Sequence, residues 1–156
     1  MTRLSPACYL PHVAPLILLD EVVSVSGTSA HCRVRVSADG VLAPFLTPQG
    51  TLPAWFGIEI IAQAVGVWSG WHGRQRGEAA QPGMLLGARN YRCPAGDFAA
   101  ESLLEVSIAL LMRDEKMGSF DGAIACNGER RAGGRITTYQ PGEGELSQLL
   151  QQGKIS

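Results

Sequence analysis

The stretch of residues 52–71, LPAWFGIEIIAQAVGVWSGW, decides the fold. It is long enough to cross a membrane, but its one charge, Glu59, would lie near mid-span, where a carboxylate is costly. We therefore predict no membrane span and a helix buried in a soluble fold. Pro53 stands near the start of this helix, a favoured position, and Gly73 and Gly77 mark its end. Apolar residues occur all round the helix, so other elements must cover it on several sides.

The sequence before the helix predicts a β-hairpin. Residues 30–37 alternate strictly between apolar and polar side chains, which is typical of a half-buried strand. The apolar run 16–24 precedes this strand, and Ser26-Gly27-Thr28 supplies the turn between them.

The sequence after the helix predicts four more strands, over residues 85–93, 103–112, 119–126 and 132–139. Gly87 predicts a bulge or a point of close backbone approach, and Asn127-Gly128 is a strong hairpin signal. One helix on one face of an antiparallel sheet is the α+β class, and a strongly curved sheet can wrap such a helix. We predict a single domain over residues 1–156, with a core of about 9–140 and a tail of 141–156.

The composition limits the classes of function. Charged residues are 17% of the 156 residues, against about 25% in ordinary domains, and the net charge is −1. This composition excludes a disordered chain. The sequence also has no long run of basic residues of the kind that binds nucleic acid. The four cysteines are scattered and the N-terminus does not resemble a signal peptide, so we expect reduced thiols, a cytoplasmic location, no metal and no cofactor. So apolar a chain predicts a surface that meets a partner subunit or an apolar ligand.

Glu59 is the sharpest candidate for chemistry on physical grounds. It is the only ionisable residue in the stretch 52–71, and an apolar surrounding obliges a carboxylate to become neutral, to pair or to face a polar cavity. Gln63 lies four residues further on, hence on the same helix face, where it could hold the carboxyl group in position. The alternative is a helix edge that reaches solvent or a subunit boundary.

Several stretches resemble one known family. Residues 9–12 (YLPH) with 15–20 (PLILLD) are similar to its N-terminal pattern L-P-H-x-x-P-x-L-L-x-D. Residues 53–64 (PAWFGIEIIAQA) are similar to its helix pattern P-G-x-x-x-x-E-x-x-A-Q-A, and residues 85–87 with Tyr91 are similar to the strand that follows. The family is the hotdog-fold 3-hydroxyacyl-acyl-carrier-protein dehydratases, and this sequence most resembles their aryl-polyene-associated branch.

The resemblance implies a hotdog fold and a lyase that acts on an acyl thioester carried by an acyl carrier protein. Its setting would be fatty-acid or polyene-type biosynthesis. The active protein would be a homodimer, or a heterodimer with another hotdog subunit, because active sites of this fold typically lie at the dimer boundary.

One departure from the family concerns its catalytic histidine. The family carries this histidine in a G-H-F-P segment before the helix, whereas residues 45–52 (FLTPQGTL) contain none, and Ala54 replaces the glycine that follows the proline. One hypothesis is a dehydratase with Glu59 as the acid and His12 as the replacement base. A second is an acyl-binding subunit whose partner supplies the base, and a third is a thioesterase in which Glu59 activates water.

Further roles are implied for neighbouring residues. The Ala54 N–H would anchor the thioester carbonyl at the helix N-terminus, and Trp55 would narrow the acyl tunnel. His12 could equally be structural, and we expect His72 to be a structural cation at the helix end. A second small set, Arg89 and Arg92, could meet a carrier phosphopantetheine or could simply be solvated.

Overall fold

The computed structural model describes Pro6 and residues 17–77, 84–114 and 116–139. One long helix, α1 (Phe56–Gln75), packs against a six-stranded sheet in which every pairing is antiparallel. The strands are β1 (Glu21–Val25), β2 (Ser29–Arg35), β3 (Leu52–Pro53), β4 (Met84–Arg92), β5 (Asp97–Phe98), β6 (Leu103–Arg113), β7 (Met117–Cys126) and β8 (Glu129–Tyr139). The sheet order is β1-β2-β6-β7-β8-β4, and β3 pairs with β5 separately. The predicted α+β class is confirmed.

The core lies between α1 and the sheet. The apolar set of β2 and the residue after it, Ala30, Cys32, Val34 and Val36, is at most 3% exposed, which confirms the predicted alternation. Opposite this set, α1 contributes side chains such as Ile60 and Ile61 that are fully buried. Each such side chain contributes about 1.5–3 kcal/mol of hydrophobic stabilisation, so the helix is held mainly by this contact.

Two predicted turn features are confirmed. Asn127 and Gly128 both have positive φ, 53° and 78°, as the tight hairpin between β7 and β8 requires. Gly87 follows a register shift in the pairing of β4 with β8, which is the bulge that the sequence predicted.

Several predicted boundaries were wrong. The helix begins at Phe56 instead of 52, because Leu52 and Pro53 pair with Phe98 and Asp97 across the β3–β5 ladder. Its end was predicted correctly: the helix ends at Gln75, between Gly73 and Gly77, and Gly77 has φ 76°. The first strand begins at residue 21 instead of 16, β7 at 117 and β8 at 129. The predicted tail, 141–156, lies outside the described residues.

The expectation that α1 is buried on all sides was also wrong. Trp55 and Glu59 are exposed, and Ala62, Gly66 and Ser69 are only half-buried. Their spacing of three and four residues places them along one side of the helix, and we call this set the open stripe. Within the described residues no helix is both long and apolar enough to cross a membrane.

Candidate functional site

Glu59 lies in the first turn of α1, on the open stripe, with its side chain exposed in the isolated chain. The sequence predicted an apolar surrounding, and the single chain does not provide one, because no described strand of its own sheet covers this side of the helix. The structure instead matches the alternative, a helix edge that reaches solvent or a subunit boundary. The amide dipoles of the first turn favour a carboxylate there.

An aromatic group adjoins Glu59 one turn earlier. The Trp55 ring is 66% exposed and lies 5.9 Å from the Phe56 ring, which lies 5.1 Å from Phe45. We call these three rings the aromatic ledge. So large an exposed indole is unusual unless a ligand or a partner covers it.

The segment that corresponds to the missing histidine motif is a closed turn. The Thr47 N–H donates to the Thr51 carbonyl at 2.8 Å, and the two threonine hydroxyls are 2.7 Å apart. Gly50 has φ 83°, which this turn requires. The turn therefore has its own bonding network and offers hydroxyl groups, but no imidazole, on the approach to the helix.

Both backbone groups of Ala54 are already engaged. Its N–H donates to the Gly96 carbonyl at 3.2 Å, and its carbonyl accepts from the Tyr91 hydroxyl at 2.5 Å. An anchoring role for the Ala54 N–H would require the first of these bonds to break. The next two N–H groups, those of Trp55 and Phe56, have no hydrogen-bond acceptor among the described residues.

Tyr91 positions the start of the helix, a role that reasoning from residue chemistry missed. Its hydroxyl ties β4 to the turn before α1, and burial raises the pKa of Tyr91 far above its ordinary value, with Cys93 adding to the rise. It therefore stays a hydrogen-bond donor at any physiological pH. The available signal was Gly57 in the first helical turn, because a Cβ there would lie 2.0 Å from the Tyr91 hydroxyl oxygen.

Gln63 connects the helix to the N-terminal part of the chain. It is 6% exposed, and its amide oxygen accepts a 2.7 Å hydrogen bond from the Leu18 N–H. This buried bond fixes the segment around Leu18 against the helix, one turn beyond Glu59. The bond gives Gln63 a positioning role on the N-terminal segment, whereas the role of holding the Glu59 carboxyl group stays a prediction.

Of the three histidines, the structure describes His31 and His72. His12 lies outside the described residues, so its predicted role as the base stays a prediction. His31 lies on the outer face of β2 and bonds Glu105, which also accepts from Arg33 at 2.9 Å. Burial lowers the pKa of His72, with smaller contributions from Arg113 and Arg76 against a raising bond to the Ser26 carbonyl. A lowered pKa favours the neutral form of His72, so a cation there gains no support, whereas the bond to the Ser26 carbonyl agrees with the predicted structural role.

The long helix packed against a six-stranded antiparallel sheet defines a hotdog-fold protein. A family model described as ApeP-like, ApeP dehydratase, matches residues 4–151, and the chain belongs to this family. The match covers nearly the whole sequence, including the segment without the histidine. It confirms the family resemblance that the sequence showed.

Solved structures agree with this assignment. The chain is 51% identical to a chain of the dehydratase heterocomplex ApeI:P from Xenorhabdus doucetiae, with a TM-score of 0.91 over 96% of this chain and 99% of that one. A mutant of the phenylacetic acid degradation protein PaaI from Thermus thermophilus is 16% identical, with a TM-score of 0.58 over 78% of this chain and 92% of that one.

A hypothetical thioesterase with coenzyme A from Streptococcus pneumoniae TIGR4 is 14% identical, with a TM-score of 0.60 over 78% of this chain and 88% of that one. At such identities, the last two structures show the fold alone. No curated protein matches the chain.

Proposed function

We propose that this chain supplies the carboxyl half of a 3-hydroxyacyl thioester dehydratase and that a partner hotdog subunit supplies the base. The observation that carries the proposal is the exposure of Glu59 in the first turn of α1, on a stripe that the chain's own sheet leaves open. The closed turn of residues 47–51 has no histidine to act as the base. The similarity to a chain of a dehydratase heterocomplex also favours a site shared between two different subunits.

The reaction assigns one role to each group. The partner's base removes the proton from C2 of the substrate, while the protonated Glu59 carboxyl donates a proton to the C3 hydroxyl, which leaves as water. A double bond forms between C2 and C3. The Trp55 and Phe56 N–H groups would hold the thioester oxygen, on which negative charge develops.

A covering partner also explains how an exposed carboxyl can act as an acid. Removal of Glu59 from water favours its neutral form, which is the form that can donate a proton. The aromatic ledge offers an apolar surface beside Glu59 for the acyl group. We propose that this acyl group is carried on an acyl carrier protein, in a cytoplasmic pathway of the fatty-acid or polyene type.

The alternative source of the base is His12 of this chain. Gln63 supports it, because the buried bond to Leu18 anchors the segment that follows His12 in the sequence. A homodimer with Glu59 and His12 from different copies would then be complete. The two assignments differ in whether the chain alone is active.

The test measures hydration of a crotonyl-pantetheine thioester by the chain alone and after mixing with a catalytically complete hotdog dehydratase. We expect no activity from the chain alone and a gain on mixing. Glu59→Gln should lower the gained rate by about 10²-fold or more, because proton transfer is lost. Glu21→Gln is the matched control, since Glu21 is an exposed carboxylate on β1, at the opposite edge of the sheet from β4.

Each contrary outcome has a clear meaning. Full activity with Glu59→Gln would contradict the acid role. Activity of the chain alone that is lost in His12→Ala would place the base in this chain. Release of free acid and thiol, without enoyl thioester, would assign the protein as a thioesterase.

A further inference from the structure

Among the strands that the structure describes, β4 forms a long edge with no neighbour on one side. It is the last strand in the sheet order, and it is nine residues long, whereas the other edge, β1, has five. Residues 86–90 are all exposed, on both faces of the strand, and Leu86 is 53% exposed. A long edge with open backbone groups and an exposed leucine invites a further strand.

The charge beside this edge is strongly positive. Together β4 and β8 carry five arginines and one acid, Glu129, although the chain as a whole has a net charge of −1. The arginines are Arg89, Arg92, Arg130, Arg131 and Arg135. Five of the thirteen lysines and arginines therefore lie on two neighbouring strands at one side of the sheet.

The register brings four of these arginines together. Arg89 lies directly opposite Arg135, and like charges directly opposite each other destabilise a sheet. Arg92 lies opposite Gly133, and a Cβ at Gly133 would be 1.9 Å from a terminal nitrogen of Arg130. The Arg130 guanidinium therefore lies next to Gly133, the residue that pairs with Arg92.

The chain neutralises only part of this cluster. Asp121 lies 3.7 Å from Arg135, and Glu129 lies 3.2 Å from Arg131. No described carboxylate lies within salt-bridge distance of the other three, Arg89, Arg92 and Arg130. The β4 edge therefore carries positive charge that the described residues leave unpaired, at the place where another strand would join.

We infer that the β4 edge rejects a second copy of this chain and selects a partner subunit whose edge strand carries carboxylates opposite Arg89 and Arg92. A two-fold pairing of β4 with itself would bring Arg89 and Arg92 of both copies together beside Arg130 and Arg135. Like charges across an interface are a strong barrier to the wrong partner, whereas carboxylates would pair with them. This inference rests on the proposed assembly with a partner, but not on the reaction.

The test places acidic residues on the β4 edge of this chain, so that one copy imitates the proposed partner. Fluorescently labelled wild-type chain is titrated with unlabelled wild type, with the double variant Arg89→Glu/Arg92→Glu, or with the control Arg74→Glu/Arg76→Glu. The control makes the same change in charge at exposed positions at the end of α1. Association is measured by sedimentation velocity at low and high salt.

We expect the β4 variant to bind labelled wild type at least about tenfold more tightly than wild type binds itself, and the control to match wild type. Added salt should weaken binding of the β4 variant and strengthen wild-type self-association, because screening reduces attraction in one pair and repulsion in the other. Equal affinities for all three titrants would overturn the inference, and so would wild-type self-association that salt weakens.

A milder double variant keeps the inference testable if the charge-reversal variant Arg89→Glu/Arg92→Glu does not fold. Arg89→Gln/Arg92→Gln removes the charge without reversing it, and we expect it to self-associate more tightly than wild type. Circular dichroism verifies that each variant is folded. If the arginines instead hold the phosphate of a carrier arm, calorimetric titration with inorganic phosphate will show binding to wild type and not to Arg89→Gln/Arg92→Gln, while the three sedimentation titrations stay equal, which overturns the inference. Dehydratase activity does not enter the test, so failure of the proposed reaction is a separate result.

Discussion

Gly57 is the residue on which the geometry of the helix start depends. An added Cβ would lie 2.0 Å from the Tyr91 hydroxyl oxygen and 3.2 Å from Phe98 Cζ. Gly57→Ala should therefore displace Tyr91 from Ala54 and destabilise the chain by about 1–3 kcal/mol, although alanine favours a helix by about 1 kcal/mol over glycine. Urea unfolding of the variant measures the change.

A double variant separates the contact from a general effect on the helix. Tyr91→Phe removes the oxygen that the new Cβ would meet, so Gly57→Ala should cost less in that background than in the wild type. Equal costs in the two backgrounds would show that Tyr91 does not set the requirement for glycine.

Glu59 shows what can and what cannot be predicted from the sequence for a single residue. Its isolation in an apolar stretch identifies it as a candidate, because a carboxylate in such a place needs a reason. Its exposure could not be predicted in the same way. Exposure depends on which strands cover which side of α1, and the apolar pattern of the helix looks the same whether its own sheet or a partner covers a given side.

At the scale of elements, strands with a clear period were predicted well and short ladders were not. The alternation in residues 30–37 predicted β2 and its buried face. The two-residue strands β3 and β5 have no period, and their partners are more than 40 residues apart, so Pro53 was interpreted as part of the helix start. The error moved the predicted helix start by four residues, and with it the choice of the N–H groups that are free to bind substrate.

The end of α1 has a predicted dependence on pH. The folded state lowers the pKa of His72, mainly by burial, so the unfolded chain binds a proton at His72 more readily than the folded chain does. The free energy of unfolding should therefore fall as the pH drops below about 6.5, the ordinary value of histidine, and recover above it. His72→Gln should remove this part of the slope between about pH 7.5 and 5.

The comparison with wild type isolates His72 from the other histidines, which remain in both proteins. His31→Gln is the matched control, because His31 lies at the outer face of β2 and bonds Glu105. A slope for His72→Gln identical to that of wild type would contradict the assignment.

At the scale of the whole molecule, the large apolar side chains that are exposed among the described residues lie in three places. They are Trp55 on the open stripe of α1, Leu86 on the edge strand β4, and Leu111, Met112 and Met117 around the β6–β7 turn. The composition predicted exposed apolar surface, but the arginine cluster beside the β4 edge could not be predicted. Arg89 and Arg135 are 46 positions apart in sequence, and only the register of β4 with β8, set by two bulges, places them opposite each other.

Trp55 tests whether the open stripe is an assembly surface. Because the indole is 66% exposed, Trp55→Ala should change the free energy of unfolding of the isolated chain by less than about 1 kcal/mol. A tryptophan buried at an interface commonly contributes about 2 kcal/mol or more, so the partner affinity, kcat/KM or both should fall by about 30-fold.

Met112→Ala is the matched control, since Met112 is 71% exposed near the β6–β7 turn. It removes a similarly exposed apolar side chain outside the open stripe, so it should leave both the partner affinity and kcat/KM unchanged. Equal losses in the two variants would mean that exposed apolar area in general drives the assembly. A loss confined to Trp55→Ala would show that the surface beside Glu59 is the part of the molecule that is completed by binding.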